Sequence, residues 1–321
     1  MQSSKQVPHG ENQLMTDGII NVNKPAGWTS QDVCSKLRHR LHIRKIGHTG
    51  TLDPMATGVL PVCIGKATRI IEYYDDDRKT YHAGMKLGCV SDTLDIWGSV
   101  EPSGGFGHVT EEMIRAAFAE YTGVIEQIPP KYSALKINGK RAYDLAREGA
   151  EFEIRSRKIT IYSNRICRTD LEAGEIEFDV TCSKGTYIRT ICDDIGRKLG
   201  CGAVMSSLER TGTGCFSIED SHSLEELIEM PDEELAGCII PMDQTLQNLG
   251  TVQLNDNRFT AFINGNPSGT GYRIEKESDF TAGKDDKYRG CSIYRVYSNG
   301  IFLGTGYLKG RDLIPAKVIY R

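Results

Sequence analysis

One short stretch concentrates the side chains that could do chemistry. Residues 47–60 read GHTGTLDPMATGVL, and the titratable side chains among them are His48 and Asp53. An ionised Asp can act as a nucleophile or accept a proton as a general base, provided that it is held in place. The neighbours of Asp53 suit that requirement. Pro54 fixes its own φ and pushes Asp53 out of the helical region, toward an extended or turning conformation. Gly47, Gly50 and Gly58 let the chain turn and let another surface come close. The apolar run 59–64 follows at once and reads as a buried strand. The picture is one carboxylate on a rigid loop beside a sheet. Local chemistry also allows a plainer role, in which Asp53 is a turn residue bonded to its own loop. A phosphate-binding loop is excluded, because Gly65-Lys66 is followed by Ala67 where Ser or Thr is required, and Gly58 lies too far back.

The elements that must position this loop can be read from periodicity. Residues 18–22 form a short apolar strand that ends in the turn Asn23-Lys24-Pro25-Ala26-Gly27. Thr29 or Ser30 then caps a helix with Asp32 in its first turn and with Val33, Leu37 and Leu41 facing the core. After the 59–64 strand, Ala67, Ile70, Ile71 and Tyr74 make a helical stripe. Residues 79–87 alternate as a strand, with Tyr81, Ala83, Met85 and Leu87 on one face. Thr110 caps a helix carrying Met113, Ile114, Ala117, Phe118 and Tyr121. Residues 132–137 are expected as a strand, Asn138-Gly139 as a turn, and 141–148 as a helix closed by Gly149.

Strands are expected at 158–163, 175–182 and 204–208. Between the last two, a helix carries Ile188, Ile191 and Ile195 on one side. Periodicity alone reads Tyr187 as a helix-start residue and Arg189 as a surface charge. Ser223 and Glu226 make a capping box that opens an acidic, solubilising helix. A second domain begins near Gly250, with a short helix over 255–263 and a long polar loop over 267–290. A hairpin follows over 291–306, turning at Asn299-Gly300, and a last strand over 313–320.

The 321 residues suffice for two domains, and the net charge of −4 does not by itself point to a nucleic acid. The charge is uneven, however. Residues 36–45 read KLRHRLHIRK, and such a basic face on a mildly acidic protein can bind RNA or simply be solvated. Ten cysteines include no C-x-x-C pair and no His at zinc-ligand spacing, so they read as reduced and mostly buried small hydrophobes, with no metal. Residues 1–17 are polar and read as a mobile tail without a signal peptide, and no apolar run spans a membrane. A cytoplasmic protein is expected.

The long motif GHTGTLDPMATGVL, preceded by NKPAGWTS, resembles the active-site signature of the bacterial tRNA pseudouridine synthase B family. Three later segments are similar to other parts of that family: SDTLDIWG at 91–98, QIPPKYSALKINGKRAYDLAREG at 127–149, and CSKGTYIRTICDDIG at 182–196. Ser91 and Trp97 depart from its pattern, which leaves the role of Asp92 open. The resemblance implies an α+β fold, with a pseudouridine-synthase catalytic domain on a bent, mixed, largely antiparallel sheet over 18–248. A small PUA-type β-barrel that binds RNA is implied over 249–321.

By the same resemblance, Asp53 is the catalytic carboxylate and Arg189 pairs with it. Tyr81 packs on the target base, as a stacked aromatic would hold an unstacked nucleotide. Tyr187 lies against the base, Leu208 packs beneath the site, Lys24 supports the loop and Tyr132 lines the cleft. His48 is the candidate for filling the space that the flipped nucleotide leaves. The implied reaction is conversion of uridine to pseudouridine at position 55 of the tRNA T-arm stem-loop, without cofactor, metal, membrane or obligate protein partner. Three rivals stay open: a tRNA-folding chaperone, a guide-RNA-dependent synthase, and a glycosidase-like hydrolase pairing Asp53 with Asp92 or Asp95.

Overall fold

The computed structural model describes residues 17–74, 78–133, 135–137, 139–282 and 288–320. The expected N-terminal tail, apart from Asp17, lies outside these residues, as does Asn138 of the expected turn.

The apolar run after Asp53 is continuous because it is buried on both faces. In the strand Thr57–Ile64, Leu60, Val62 and Ile64 face one core while Val59 and Cys63 face another. This strand pairs antiparallel with Gly18–Lys24 along its length, and on its other side parallel with Ala203–Thr213. From there the sheet continues antiparallel through Lys79–Leu87, Glu175–Cys182, Arg157–Asp170 and Gly123–Gln127. Short strands at Ile46–His48, Phe216–Ser217 and His222–Ser223 complete a ten-stranded mixed sheet. The pairing of Ala203–Thr213 with Lys79–Leu87 shifts register at Met205/Ser207 and at Arg210/Gly212. Such bulges bend a strand and increase its twist.

Alternation decides which side each strand buries. Tyr81, Ala83, Met85 and Leu87 join Ile176, Phe178, Val180 and Cys182 in the first core. Helices Ser30–Arg40, Glu111–Ala119, Ile188–Lys198 and Leu224–Glu229 contribute their apolar sides to the same core. The Phe118 and Phe178 rings meet edge-on at 5.0 Å. Thr29 caps the first helix in a reciprocal box with Asp32, as the Thr-x-x-Asp pattern allows. Met113, expected in the core stripe, is exposed at the side of its helix.

Other expectations change. The stripe Ala67 to Tyr74 forms two 3-10 turns, Gly65–Arg69 and Ile71–Tyr74; spacings of three and four residues fit either helix type, and 3-10 geometry serves in short pieces. The expected strand over 132–137 shrinks to Lys136–Ile137, paired with Lys140–Arg141. The backbone carbonyls of Tyr132 and Ser133 are taken instead by the Arg189 side chain and the Tyr143 amide.

The tail is a five-stranded mixed sheet in the order Tyr272–Lys276, Gly250–Leu254, Ile293–Ser298, Ile301–Lys309, Asp312–Val318. No pairing between its first and last strands closes it among the described residues. The first of these strands lies within the stretch expected as a loop; its weak Tyr272/Ile274 alternation sits in a polar segment. Asn299 and Gly300 both take positive φ, 51° and 76°, as the expected two-residue hairpin turn demands. The tail packs directly on the first domain. Tyr73, Phe216, Met242, Leu246, Phe280 and Ile293 share the second core. Tyr73 Oη lies 2.8 Å from Thr305 Oγ1, and Arg295 donates to the Asp243 carbonyl at 2.9 Å.

Candidate active site

The Asp53 loop is held by backbone and side-chain bonds on both flanks. Thr49 N donates to the Pro61 carbonyl at 3.1 Å, Leu52 N to Ser30 Oγ at 2.9 Å, and Gly27 N to the Pro54 carbonyl at 2.9 Å. Lys24 is fully buried beneath it. Its Nζ donates to the carbonyls of Pro25 at 2.8 Å, Trp28 at 2.6 Å and Pro54 at 2.8 Å. An ammonium has three donors, so every one is used. Burial pushes its pKa down to about 8, while the charge of Asp53 pulls the other way.

Arg189 reaches the same loop from the far side of the cleft. It lies in the first turn of helix Ile188–Lys198, whose N-cap residue is Tyr187. Gln127 fixes that start: its Oε1 accepts from Tyr187 N at 2.8 Å and its Nε2 donates to the Tyr187 carbonyl at 3.0 Å. Arg189 Nε is 2.9 Å from Asp53 Oδ2, with side-chain exposures of 5% and 39%. Nη1 donates to the Thr93 carbonyl at 3.0 Å and Nη2 to the Tyr132 carbonyl at 3.2 Å. The guanidinium is thus buried and anchored by neutral groups, while the carboxylate it pairs with stays open to solvent on one side. That asymmetry leaves Asp53 free to meet a ligand.

Asp95 is a second carboxylate at the pair, with Oδ2 3.9 Å from Arg189 Nε. Its Oδ1 accepts from Thr93 Oγ1 at 2.6 Å and from Trp97 N at 3.1 Å. Asp92 has a different place: it accepts from Ser99 N at 2.8 Å and closes its own turn.

The remaining sequence-predicted residues gather around the loop to different degrees. Tyr81 and Leu208 belong to the core, 7% and 8% exposed, on adjacent strands where Leu208 faces Ala83 and Arg210 faces Tyr81. Tyr187 is half-buried with the Arg157 guanidinium 5.0 Å over its ring. Tyr132 is half-buried and contributes its backbone carbonyl to Arg189. His48 ends the strand Ile46–His48, half-buried, and its Nδ1 is buried with no hydrogen-bond partner. Burial, aided by the Arg210 charge, holds its pKa below the usual histidine value. Sequence reasoning missed Gln127 and Arg210 and gave Asp95 no part beside Arg189. Their partners are distant in the chain, and no periodicity marks them.

The basic stretch 36–45 is partly spent within the protein. Arg40 donates to the Ile228 and Met230 carbonyls at 3.0 and 2.6 Å and pairs with Asp232 at 2.7 Å. It thus ties the basic helix to the acidic segment. Five of the ten cysteines are buried, and Cys167 and Cys215 are exposed. Outside the cleft, donor atoms of His82, Cys167 and Asp179 lie within 4.8 Å of one another, a grouping invisible to sequence spacing; Asp179 is already bonded by His82 and Arg165. No helix among the described residues is long and apolar enough to cross a membrane.

The site is thus a one-sided carboxylate backed by a buried arginine beside a ten-stranded mixed sheet. The family model of the TruB pseudouridylate synthase N-terminal domain matches residues 38–188, and that of the tRNA pseudouridylate synthase B C-terminal domain matches residues 189–247. The chain is 45% identical to the tRNA pseudouridine synthase B of Clostridium kluyveri, over 91% of this chain and 96% of that one. It is 44% identical to the tRNA pseudouridine synthase B of Alkaliphilus oremlandii, over 92% and 94%. Among solved structures, a Cbf5–Nop10–Gar1 complex contains a chain that aligns with a TM-score of 0.72 and 27% identity, over 95% of this chain and 85% of that one. The chain belongs to the TruB family of pseudouridylate synthases.

Proposed function

We propose that this protein isomerises uridine to pseudouridine in the T-loop of tRNA, at position 55, acting on the tRNA alone. The observation that carries this reading is the Asp53–Arg189 pair, 2.9 Å apart, with Arg189 buried and Asp53 open. The reaction detaches uracil from its sugar, turns it and rejoins it through carbon 5, whose hydrogen leaves as a proton. Nothing is oxidised or reduced and no group passes to water. The protein needs one ionised carboxylate, as nucleophile or as base, in a cleft that a flipped nucleotide can enter. Arg189 gives the Asp53 carboxylate a charged partner at 2.9 Å and fixes its direction. Tyr81 and Tyr187 bracket the base, Leu208 lies beneath it, Tyr132 lines the entrance, and His48 takes the space that the nucleotide vacates. Lys24 holds the loop and does not react.

Residues 18–248 form the catalytic domain in this reading, and residues 249–321 a PUA-like RNA-binding domain. A tail packed on the catalytic domain through a shared core suits a rigid two-part grip on one tRNA. The likeness to a Cbf5 complex supports a second reading, a synthase that requires partners or a guide. One experiment separates them. Wild type and Asp53→Asn are incubated with a bare T-arm stem-loop carrying tritium at uracil carbon 5. Tritium release by wild type alone, with both proteins binding the RNA, supports a standalone synthase with Asp53 at the chemistry. Binding without release by either one supports the guided reading or a folding chaperone, and free uracil among the products supports hydrolysis.

A further inference from the structure

Lys24 secures the Asp53 loop through Pro54, and a second buried cation holds its other end. Arg210, on strand Ala203–Thr213, is 1% exposed. Its Nε donates to the Val59 carbonyl at 2.6 Å and its Nη2 to the Gly50 carbonyl at 3.1 Å. Those two carbonyls bracket Asp53 in the chain. Among the described residues, no carboxylate pairs with this guanidinium. Its Nη1 is buried without a hydrogen-bond partner, and the Tyr81 hydroxyl is the neighbour that favours its charge. Register seats Arg210 between the two, facing Gly58 at the end of the loop on one side and Tyr81 on the other. Its charge also reaches His48.

A guanidinium buried without a counter-ion is a poor choice for stability, since a packed apolar residue in such a place is often as good or better. Its bonds point instead to the loop that carries the reactive carboxylate. We propose that Arg210 is a positioning residue for the isomerisation. Through the Gly50 and Val59 carbonyls it ties the two ends of the Asp53 loop together and so sets the direction of the carboxylate. The proposal rests on the pseudouridine-synthase reading for its kinetic consequence; the structural part stands apart from it.

The test compares wild type with Arg210→Met and Arg210→Lys by two measurements. In single-turnover pseudouridine formation on the T-arm stem-loop, Arg210→Met is expected to lose about a hundredfold in rate, the cost of a misplacement of roughly 1 Å. Its dissociation constant for the RNA should change by less than about threefold. Lysine, which restores charge but not a two-carbonyl fork, should recover about tenfold of that loss. In hydrogen exchange without RNA, the Leu52 and Ala56 amides of the loop should exchange about tenfold faster in both variants, while Phe178 in the sheet centre keeps its wild-type rate. If Arg210→Met does not fold, the lysine variant decides alone, through loop exchange and an intermediate rate. Wild-type loop exchange in a folded variant overturns the proposal, as does a loss of rate matched by an equal loss of RNA binding. If wild type converts no RNA, the functional reading fails while the exchange result still decides whether Arg210 holds the loop.

Discussion

Replacing Arg189 by methionine tests the site most directly. The change keeps an unbranched chain of similar length but removes the guanidinium and all its donors. Asp53 loses the 2.9 Å partner, and the Thr93 and Tyr132 carbonyls lose theirs at 3.0 and 3.2 Å. Hydrogen bonds from a charged donor contribute about 1.5–3 kcal/mol each. Asp53 and Asp95, which both lie within 3.9 Å of the same nitrogen, would then face each other with no cation between them. At a separation of roughly 6 Å and an effective dielectric of about 20, their repulsion is about 3 kcal/mol. The loop can relieve that repulsion by moving Asp53 outward, and even a 1 Å displacement costs about a hundredfold in rate. Taken together, a loss near 4 kcal/mol in transition-state stabilisation is expected, about a thousandfold. Water can reach the exposed side of Asp53 and offset part of the lost bonding, so stability should fall by about 3–5 kcal/mol, the usual cost of removing one partner of a buried pair, against about 5–15 kcal/mol for a native protein. The assay is tritium release from uracil carbon 5 under single-turnover conditions, alongside RNA binding and thermal unfolding. A folded Arg189→Met protein with wild-type turnover would refute the claim that the ion pair directs Asp53.

Three further perturbations follow from the same geometry. Gly58 has φ +96°, and a Cβ there would overlap the Arg210 carbonyl oxygen; Gly58→Ala should lower stability by more than about 2 kcal/mol, read by denaturant titration, and an unchanged midpoint would contradict the packing described. Lys24, with its pKa pushed down to about 8, should lose its proton as pH rises past that value, leaving two N–H donors for three carbonyls. Turnover should therefore decline above about pH 8, and the residual activity of Lys24→Met should lack that decline. The sign for stability is opposite. The folded pKa lies below the unfolded one, so between about 8 and 10.5 the unfolded chain holds the extra proton, and this group's contribution to stability rises with pH across that window. Tyr73→Phe removes a bond across the domain contact, 2.8 Å to Thr305, and should cost about 1 kcal/mol in a single cooperative unfolding transition. Two separate transitions in wild type would show that the shared core does not couple the domains.

The scaffold was legible where one physical signal decided the outcome. Strands Lys79–Leu87 and Glu175–Cys182 begin and end where their alternation does, because one face of each packs into a continuous core. The capping boxes at Thr29 and Ser223 start helices as their spacing predicts. Residues 67–74 misled because apolar spacing does not separate a 3-10 turn from an α-helix. Residues 132–137 misled because their β-like composition carries no information on whether a partner strand is available; the carbonyl of Tyr132 is taken by Arg189 instead. The edge strand Tyr272–Lys276 was hidden for the converse reason: pairing with Gly250–Leu254 supplies what its sequence lacks.

The site was legible only in part, and the division has a physical cause. Asp53 declares itself through the Pro and Gly residues that shape its loop. Arg189 does not: in the first turn of an amphipathic helix it reads as a surface charge, yet it is 4% exposed, and it was reached only through resemblance. Its partners Asp53, Thr93 and Tyr132 come from three separate segments, so no local window contains the reason for its burial. Lys24 and Arg210 share that character, for each is buried without a carboxylate in ion-pair contact among the described residues and is satisfied by backbone carbonyls. Carbonyl dipoles anchor a cation without cancelling its charge. Two such cations, Lys24 and Arg210, therefore flank the Asp53 loop, while Arg189 pairs with Asp53 and lies near Asp95. Cations held in this way attract an approaching polyanion such as an RNA backbone, and the bonds that hold them also fix the loop. Clamping the loop and placing positive charge beside it are thus one device, built from residues whose types, taken singly, suggest only surface lysines and arginines.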